Sequence, residues 1–302
     1  MDITGSRGHA FLSGGLMDGL QRLVPKPKGV RKMRLYLFEL EKIMKKPLHF
    51  AAVSGCAVFT FVLWWMYADQ ADYSMGEGAA AALLLLGVHG LFAALLAMLF
   101  TSPVFAEEYS CNMEGLLWTS VKGRKETAWC KAAAALTIAL AVYISFLAAD
   151  LIFVCCVWGG GNWYAGLGQP AAVWLDTTLT VTLGTATAAA VLTGSCSLLL
   201  IAGGAYCISA FSDTPFKAVS ILGISYFAGG ILFDWGDRAG IPLAARIFSF
   251  SPAVLSGFQM YKKPWEEQWF AGGYIPLVPV VTAAACIILF TLGLRRFGRG
   301  LV

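Results

Sequence analysis

The chain has 302 residues, of which 58% are hydrophobic and 13% charged, and its formal net charge is +4. Soluble domains carry about one-quarter charged residues, so this composition and the mean hydropathy of +0.69 exclude a soluble globular protein. A chain of this length accommodates about six membrane-spanning helices of ~20 residues, with no room for a separate soluble catalytic domain. We therefore expect an all-α polytopic membrane protein with six transmembrane helices.

The segment before the first span divides into two parts. Residues 1–30 are rich in glycine, and Pro25 and Pro27 interrupt regular structure, which predicts a flexible cytoplasmic segment. Residues 31–47 carry apolar side chains at helical spacing among six lysines and arginines. This pattern predicts a basic amphipathic helix in the headgroup region, with its cations facing anionic lipid.

Six apolar runs follow, and each predicts a span. Their bounds are 48–68, 79–104, 132–158, 184–210, 215–233 and 274–294, and a basic tail, 295–302, ends the chain. The apolar stretch 171–210 is too long for one span, because about 40 helical residues would extend ~60 Å. Its threonine-rich start is assigned to an outer interfacial piece or a tilted extension of the fourth span.

The distribution of Lys and Arg predicts the orientation. The six-span arrangement places ten of them in the N-terminal segment, four between spans two and three, one at Lys217 and three in the tail, eighteen in all. The other side carries four: Arg238, Arg246, Lys262 and Lys263. Because positive charge accumulates on the cytoplasmic side, we expect a multi-pass protein of the plasma (cell inner) membrane with both termini in the cytoplasm.

Residues 234–273 form the one outer loop of substance. Residues 241–250 are apolar but too short to cross a bilayer, and Ser251-Pro252 is a favourable helix start. Two short helices that dip into the outer leaflet fit this pattern, and a simple amphipathic surface loop is the alternative.

The charged segment between spans two and three is amphipathic. Phe105, Tyr109 and Met113 recur at helical spacing, while Glu107, Glu108 and Glu114 fall largely on the opposite face. The pattern over 105–120 predicts a helix along the membrane surface, followed by the basic turn 122–125. An ordinary solvated loop is the alternative.

A family resemblance rests on residues spread through this segment. They are Phe105, Glu108, Met113, Leu116, Leu117, Thr119, Ser120, Lys122, Gly123, Arg124 and Lys131. Together they resemble the segment between the second and third spans of permeases from type-2 ATP-binding-cassette (ABC) exporters. The chain has Asn112-Met113 where that family often has Gly-Thr, and Ser120 where it often has Pro, which leaves the subfamily open.

The resemblance implies an architecture and a set of partners. Residues 31–47 would be the elbow helix, 105–120 a coupling helix seated in a groove of a separate ATPase subunit, and 234–273 a re-entrant helical pair. The ATPase-coupling surface would comprise Glu107, Glu108, Asn112, Glu114, Lys122, Gly123 and Arg124. The working unit would be two permease chains, identical or different, with two ATPase chains in a lipid membrane, and it would not bind nucleic acid.

Motifs that are missing from the sequence bear on the same question. The chain has no G-x-x-x-x-G-K-[ST] phosphate loop and no H-E-x-x-H zinc motif, so we expect no enzymatic activity, no cofactor and no metal site in it. ATP-Mg would bind to the partner ATPase. The sequence does not distinguish among peptide, lipid, drug and polysaccharide-precursor substrates.

Two ionisable residues fall inside predicted spans. His89 lies in span two and Asp150 in span three, and such groups usually face protein or water because they are costly in lipid. They are candidates for a translocation path, and a proton-coupled secondary transporter that uses them is the alternative function. Structural roles for both remain open, since Asp150 lies about two turns from the outer end of its span.

Overall fold

The computed structural model describes residues 28–69, 77–111, 123–159, 162–166, 181–257 and 273–299. The described residues form helices joined by turns, with one isolated β-bridge between Gly166 and Thr182. The helices are α1 (Lys28–Met44), α2 (Pro47–Asp69), α3 (Glu77–Thr101), α4 (Pro103–Ser110), α5 (Gly123–Trp158), α6 (Leu183–Phe211), α7 (Pro215–Arg238), α8 (Pro242–Phe248), α9 (Pro252–Ser256) and α10 (Tyr274–Arg299).

Six of these helices are long and apolar enough to cross a membrane: α2, α3, α5, α6, α7 and α10. This confirms the prediction of an all-α polytopic membrane protein with six long apolar helices. The fourth, α6, begins at Leu183, where the side chain of Thr182 accepts a hydrogen bond from the Thr185 backbone amide. This cap divides the apolar stretch 171–210 at the position where the sequence divides it.

Helices α3 and α6 form the centre of the bundle. About two-thirds of the most apolar window of each is buried, whereas less than one-fifth of the corresponding windows of α2, α5 and α10 is buried. Small side chains allow the central helices to approach closely, since Ala93 and Ala97 of α3 share a core with Ala202 and Ala205 of α6. The outer helices therefore cover a centre made by α3 and α6.

The N-terminal helix α1 packs on the spans along one face. Ile43 is buried with Leu96 and Phe100 of α3 and Ile138 of α5. Another face, with Met33, Leu37 and Met44, is exposed. The basic amphipathic segment is thus a helix with a protein-facing side, and its place in the headgroup region stays a prediction.

A break at Pro103 separates α4 from the second span. Pro103 begins a new helix, and the backbone amides of Phe105 and Ala106 donate to the Ser209 hydroxyl of α6 at 2.9 and 3.0 Å. Ser209 therefore satisfies amides that the proline leaves without helical partners. The predicted surface helix 105–120 corresponds to α4 in its first part, and residues 112–122 lie outside the described residues.

The chain folds back into the bundle after α7. A turn at Gly240, whose φ of +66° suits glycine, leads into α8, which packs against α7 where Gly236 meets Ala245. Deeper in the bundle, Gly229 of α7 meets Ser251, and Gly90 of α3 meets Ser256 at the end of α9. Gly90 lies 13 residues from the start of α3, or about 20 Å along it, so α9 reaches roughly the middle of the bundle.

The contact between α3 and α9 leaves no room for a side chain at position 90. A Cβ there would overlap the carbonyl group of Ser256, whereas a Cβ at Gly55 of α2 would meet nothing within 4 Å. We expect Gly90→Ala to lower the melting temperature in mild detergent by about 5 °C, because α9 must move, and Gly55→Ala to change it little. Equal melting temperatures for the two variants would contradict this packing.

Candidate functional site

Two groups of buried or partly buried polar side chains lie at different levels of the bundle. We call Glu39, Lys42, Lys46, Glu107, Glu108 and Lys131, which meet where α1, α4 and α5 converge, the Lys131 cluster. We call Thr60, Trp64, His89 and Asp150, which meet between α2, α3 and α5, the His89 site. Both groups place charge away from water, where an unpaired charge would be strongly destabilising.

Lys131 is the centre of the first cluster and is 1% exposed. Its ammonium nitrogen lies 2.9 Å from Glu39 of α1, 2.7 Å from Glu108 of α4 and 3.1 Å from the carbonyl oxygen of Val104. An ammonium group has three protons to donate, so these three partners account for all of them. One side chain of α5 thereby fixes the positions of α1 and α4.

The more exposed half of the cluster links α1 to α4 directly. Lys46 lies 2.7 Å and Lys42 3.5 Å from one oxygen of Glu107, and Lys42 lies 3.9 Å from Glu108. On α1, Glu39 and Lys42 are three residues apart and share one helical face, and Lys46 follows in the turn between α1 and α2. The cluster contains three cations and three carboxylates, so its charges cancel. This balance matters because an uncompensated charge in a partly buried network would be destabilising.

Two of the predicted coupling residues, Glu107 and Glu108, lie in the Lys131 cluster and not on the outer face where the sequence places them. Glu107 and Glu108 were expected on an outer face, but Glu108 is 7% exposed and both carboxylates point toward lysines of α1 and α5. The physical reason is that these lysines provide counter-charges within the chain itself. The coupling role of the two residues stays a prediction.

The other coupling residues are placed less fully. Asn112, Glu114 and Lys122 lie outside the described residues. Gly123 and Arg124 begin α5, and the structure describes their helical backbone but not their side chains. The sequence analysis missed Glu39, although its spacing from Lys42 on one face of α1 could have shown it.

The second group joins the two ionisable residues predicted inside spans. His89 Nδ1 lies 2.7 Å from one carboxylate oxygen of Asp150, and the two side chains are 1% and 0% exposed. The Trp64 indole donates to the other carboxylate oxygen at 3.0 Å, and Thr60 Oγ1 lies 3.2 Å from His89 Nε2. Sequence reasoning identified His89 and Asp150 but not their partners on α2.

Aromatic rings surround the His89 site. The ring of Phe146 stacks on His89 with centroids 5.2 Å apart, and Phe153 stacks on Trp64 at 4.9 Å. The site lies toward the end of the bundle remote from α1, since Asp150 is eight residues, or about 12 Å, from the end of α5. These rings shield the hydrogen bonds from lipid and strengthen them by lowering the local dielectric.

The order Thr60, His89, Asp150 is also that of a nucleophile, base and acid in a hydrolase. Such an enzyme needs backbone or side-chain donors directed at the oxyanion that forms beside the nucleophile. Thr60 lies in the interior of α2, where the helix uses its own amides. The arrangement therefore suits the binding and transfer of protons better than acyl transfer.

Comparison with known proteins adds no assignment: no family model, no curated protein and no solved structure matches this chain.

The Lys131 cluster makes a stability prediction. Lys131→Met leaves two carboxylates buried without their shared cation, which costs about 3 to 5 kcal/mol, so we expect a large fall in the thermal stability of the detergent-solubilised protein. Lys217→Met is the matched control, because the Lys217–Asp213 pair is exposed on both sides. The triple change Glu39→Gln, Glu108→Gln, Lys131→Met should recover much of the lost stability, because it also removes the two unpaired negative charges. Equal effects of Lys131→Met and Lys217→Met would contradict the assigned role of Lys131.

Proposed function

We propose that this chain is the membrane-spanning permease subunit of an ATP-driven exporter of the type-2 ABC class, which works as a dimer with separate ATPase subunits. The observation that carries the proposal is the Lys131 cluster, which joins the N-terminal helix to the segment that follows the second span. The resemblance implies an elbow helix before the first span and a coupling helix after the second, and the cluster would join these two elements.

The chain between spans five and six supports the same function. Helices α8 and α9 fold back to the middle of the bundle, where the Tyr226 hydroxyl lies 2.6 Å from the Ser256 hydroxyl and Ser197 donates to the Pro252 carbonyl oxygen at 2.7 Å. A re-entrant helical pair in this position is what the resemblance implies. The two features lie at opposite ends of the bundle, one toward the ATPase and one toward the outer side.

The proposed mechanism uses the rigidity of these contacts. Closure of the ATPase pair on bound ATP moves the segment that begins with α4, and the Lys131 cluster passes this movement to α1 and α5. Phe105 of α4 packs against Tyr206 of α6 and Phe297 of α10 with ring centroids 4.8 and 4.6 Å apart, so the central span moves with it. Transport follows from the changed packing of the spans at the dimer centre.

Burial of Glu108 reduces the set of residues that we propose to contact the ATPase. Glu107 and Glu108 hold α4 against α1 and α5. The contact with the ATPase is therefore proposed for the remaining coupling residues: Asn112, Glu114, Lys122, Gly123 and Arg124. The Lys and Arg asymmetry supports a cytoplasmic position for this surface and for both termini, in the plasma membrane.

The experiment is a pull-down of the tagged chain in mild detergent, with Glu114→Lys as the test variant and Asp213→Lys as the control. Asp213 is exposed on the turn between α6 and α7, at the same end of the bundle. We expect a soluble ATPase to copurify with the wild type and the control, and to be lost or strongly reduced with Glu114→Lys at unchanged melting temperature. Failure of any ATPase to copurify with the wild type would overturn the proposal.

A second candidate function is proton-coupled secondary transport, and the hydrogen bond between His89 and Asp150 favours it. It requires no ATPase partner. The pull-down therefore separates the two candidates, because a chain purified alone that transports under an imposed pH gradient would support the second and not the first.

A further inference from the structure

Helix α2 contacts the bundle through an unusual set of side chains. Most of its surface is exposed, and within the part whose side chains are described its two buried residues, His49 and Thr60, are both polar. Thr60 and Trp64 lie one helical turn apart and make hydrogen bonds to His89 of α3 and Asp150 of α5. At this level, the polar contacts to the His89 site act together with the ring contacts Trp64–Phe153 and Phe59–Phe92 in docking the first span.

The donors and acceptors of the site define two protonation states. The Trp64 indole can only donate, so the Asp150 oxygen that faces it is an acceptor in both. In the proton-poor state, ionised Asp150 accepts from His89 Nδ1–H, and the Thr60 hydroxyl donates to the bare Nε2. This state carries a net charge of −1 inside the bundle, which burial disfavours.

Uptake of one proton removes that net charge. The proton that bridges Asp150 and His89 Nδ1 can lie on either atom, but in both cases Nε2 carries a hydrogen and donates to Thr60. A hydroxyl can either donate or accept, so Thr60 keeps its hydrogen bond in both states. Whether Nε2 carries a hydrogen therefore shows which of the two protonation states the site is in.

We propose that the His89 site binds one proton reversibly and that this proton strengthens the docking of α2 on α3 and α5. Because the proton-rich site is neutral, its hydrogen bonds to Thr60 and Trp64 no longer enclose an uncompensated buried charge. The inference concerns proton binding by this chain and does not depend on whether ATP or a proton gradient drives transport.

Few other ionisable groups among the described residues face the site. From α5 they are Asp150 itself and Tyr143, seven residues before it, whose hydroxyl donates to the Ala190 carbonyl oxygen at 3.3 Å. From α2, Cys56 lies one turn from Thr60 and packs toward α3, and from α9 the polar group nearest to this level is Ser256, which meets Gly90. Lys131 is 19 residues, or about 28 Å, away along α5, and the charges of its cluster balance, so the cluster has little electrostatic effect on the His89 site.

The test reads the histidine nitrogens directly. The chain contains three histidines, so ¹⁵N-histidine labelling of the full-length protein gives few signals, and His89→Gln identifies those of His89. We expect Nε2 of His89 to change from unprotonated to protonated as the pH falls from about 9 to 5, and this change to be lost in Asp150→Asn. A single protonation state of Nε2 over this range would overturn the proposal.

Two conservative variants make opposite predictions, which distinguishes a proton site from a merely structural contact. Thr60→Val removes the partner of Nε2 in both protonation states, but the bond donated by a charged imidazole is the stronger one, so the pH midpoint should fall by up to about one unit, and Thr60→Ser should restore it. Trp64→Phe removes a donor to the carboxylate and should raise the midpoint by a similar amount, because the negative charge is then less stabilised. Shifts in the same direction, or none, would contradict the assigned roles.

Docking of α2 has its own measurement. In a variant whose only cysteine is Cys56, reaction with a membrane-permeant maleimide is compared at each pH with a variant whose only cysteine is Cys207 of α6, so that thiol ionisation cancels. We expect the ratio of the two rates to rise by up to about tenfold above the His89 midpoint. A ratio that stays flat while His89 titrates would overturn the link between the proton and docking.

Discussion

A charged side chain that leaves water must find its partners within the protein, and this requirement decides how the outer elements are attached to the central helices. Lys131 uses its three protons on Glu39, Glu108 and the Val104 carbonyl group, and so joins α1 and α4 to α5. Asp150 shares a hydrogen bond with His89 and accepts one from Trp64, and so joins α2 to α3 and α5. In both places, loss of one partner would leave a buried charge uncompensated.

Close approach of backbones is the second constraint, and it operates at the centre of the bundle. Helix α9 reaches the middle of α3 because Gly90 has no side chain there, and α8 lies against α7 at Gly236. The polar backbone of this returning segment is satisfied inside the protein, as the Ser197 contact with the Pro252 carbonyl oxygen shows. Irregular backbone at membrane depth is tolerated where it is enclosed by protein in this way.

The two ionisable groups have different physical properties and suit different tasks. The Lys131 cluster balances three cations with three carboxylates. It therefore holds α1, α4 and α5 together and needs no additional proton to neutralise it. The His89 site contains an imidazole, whose nitrogens donate or accept according to where its protons lie, and a hydroxyl that can either donate or accept. The first suits transmission of a movement between helices, and the second suits a response to protons.

The sequence by itself determined the all-α class, the six apolar spans, the start of the fourth span near residue 184 and the short helices after span five, because apolar run length, capping residues and proline are local properties. It also singled out His89 and Asp150, since an ionisable residue in an apolar run is visible without any structure. Tertiary structure alone decided that these two residues touch, that Thr60 and Trp64 join them, and that Glu108 turns inward to Lys131. Helical periodicity gives the face on which a side chain lies but not the counter-charge that another helix brings to it, and buried charges are placed by that counter-charge.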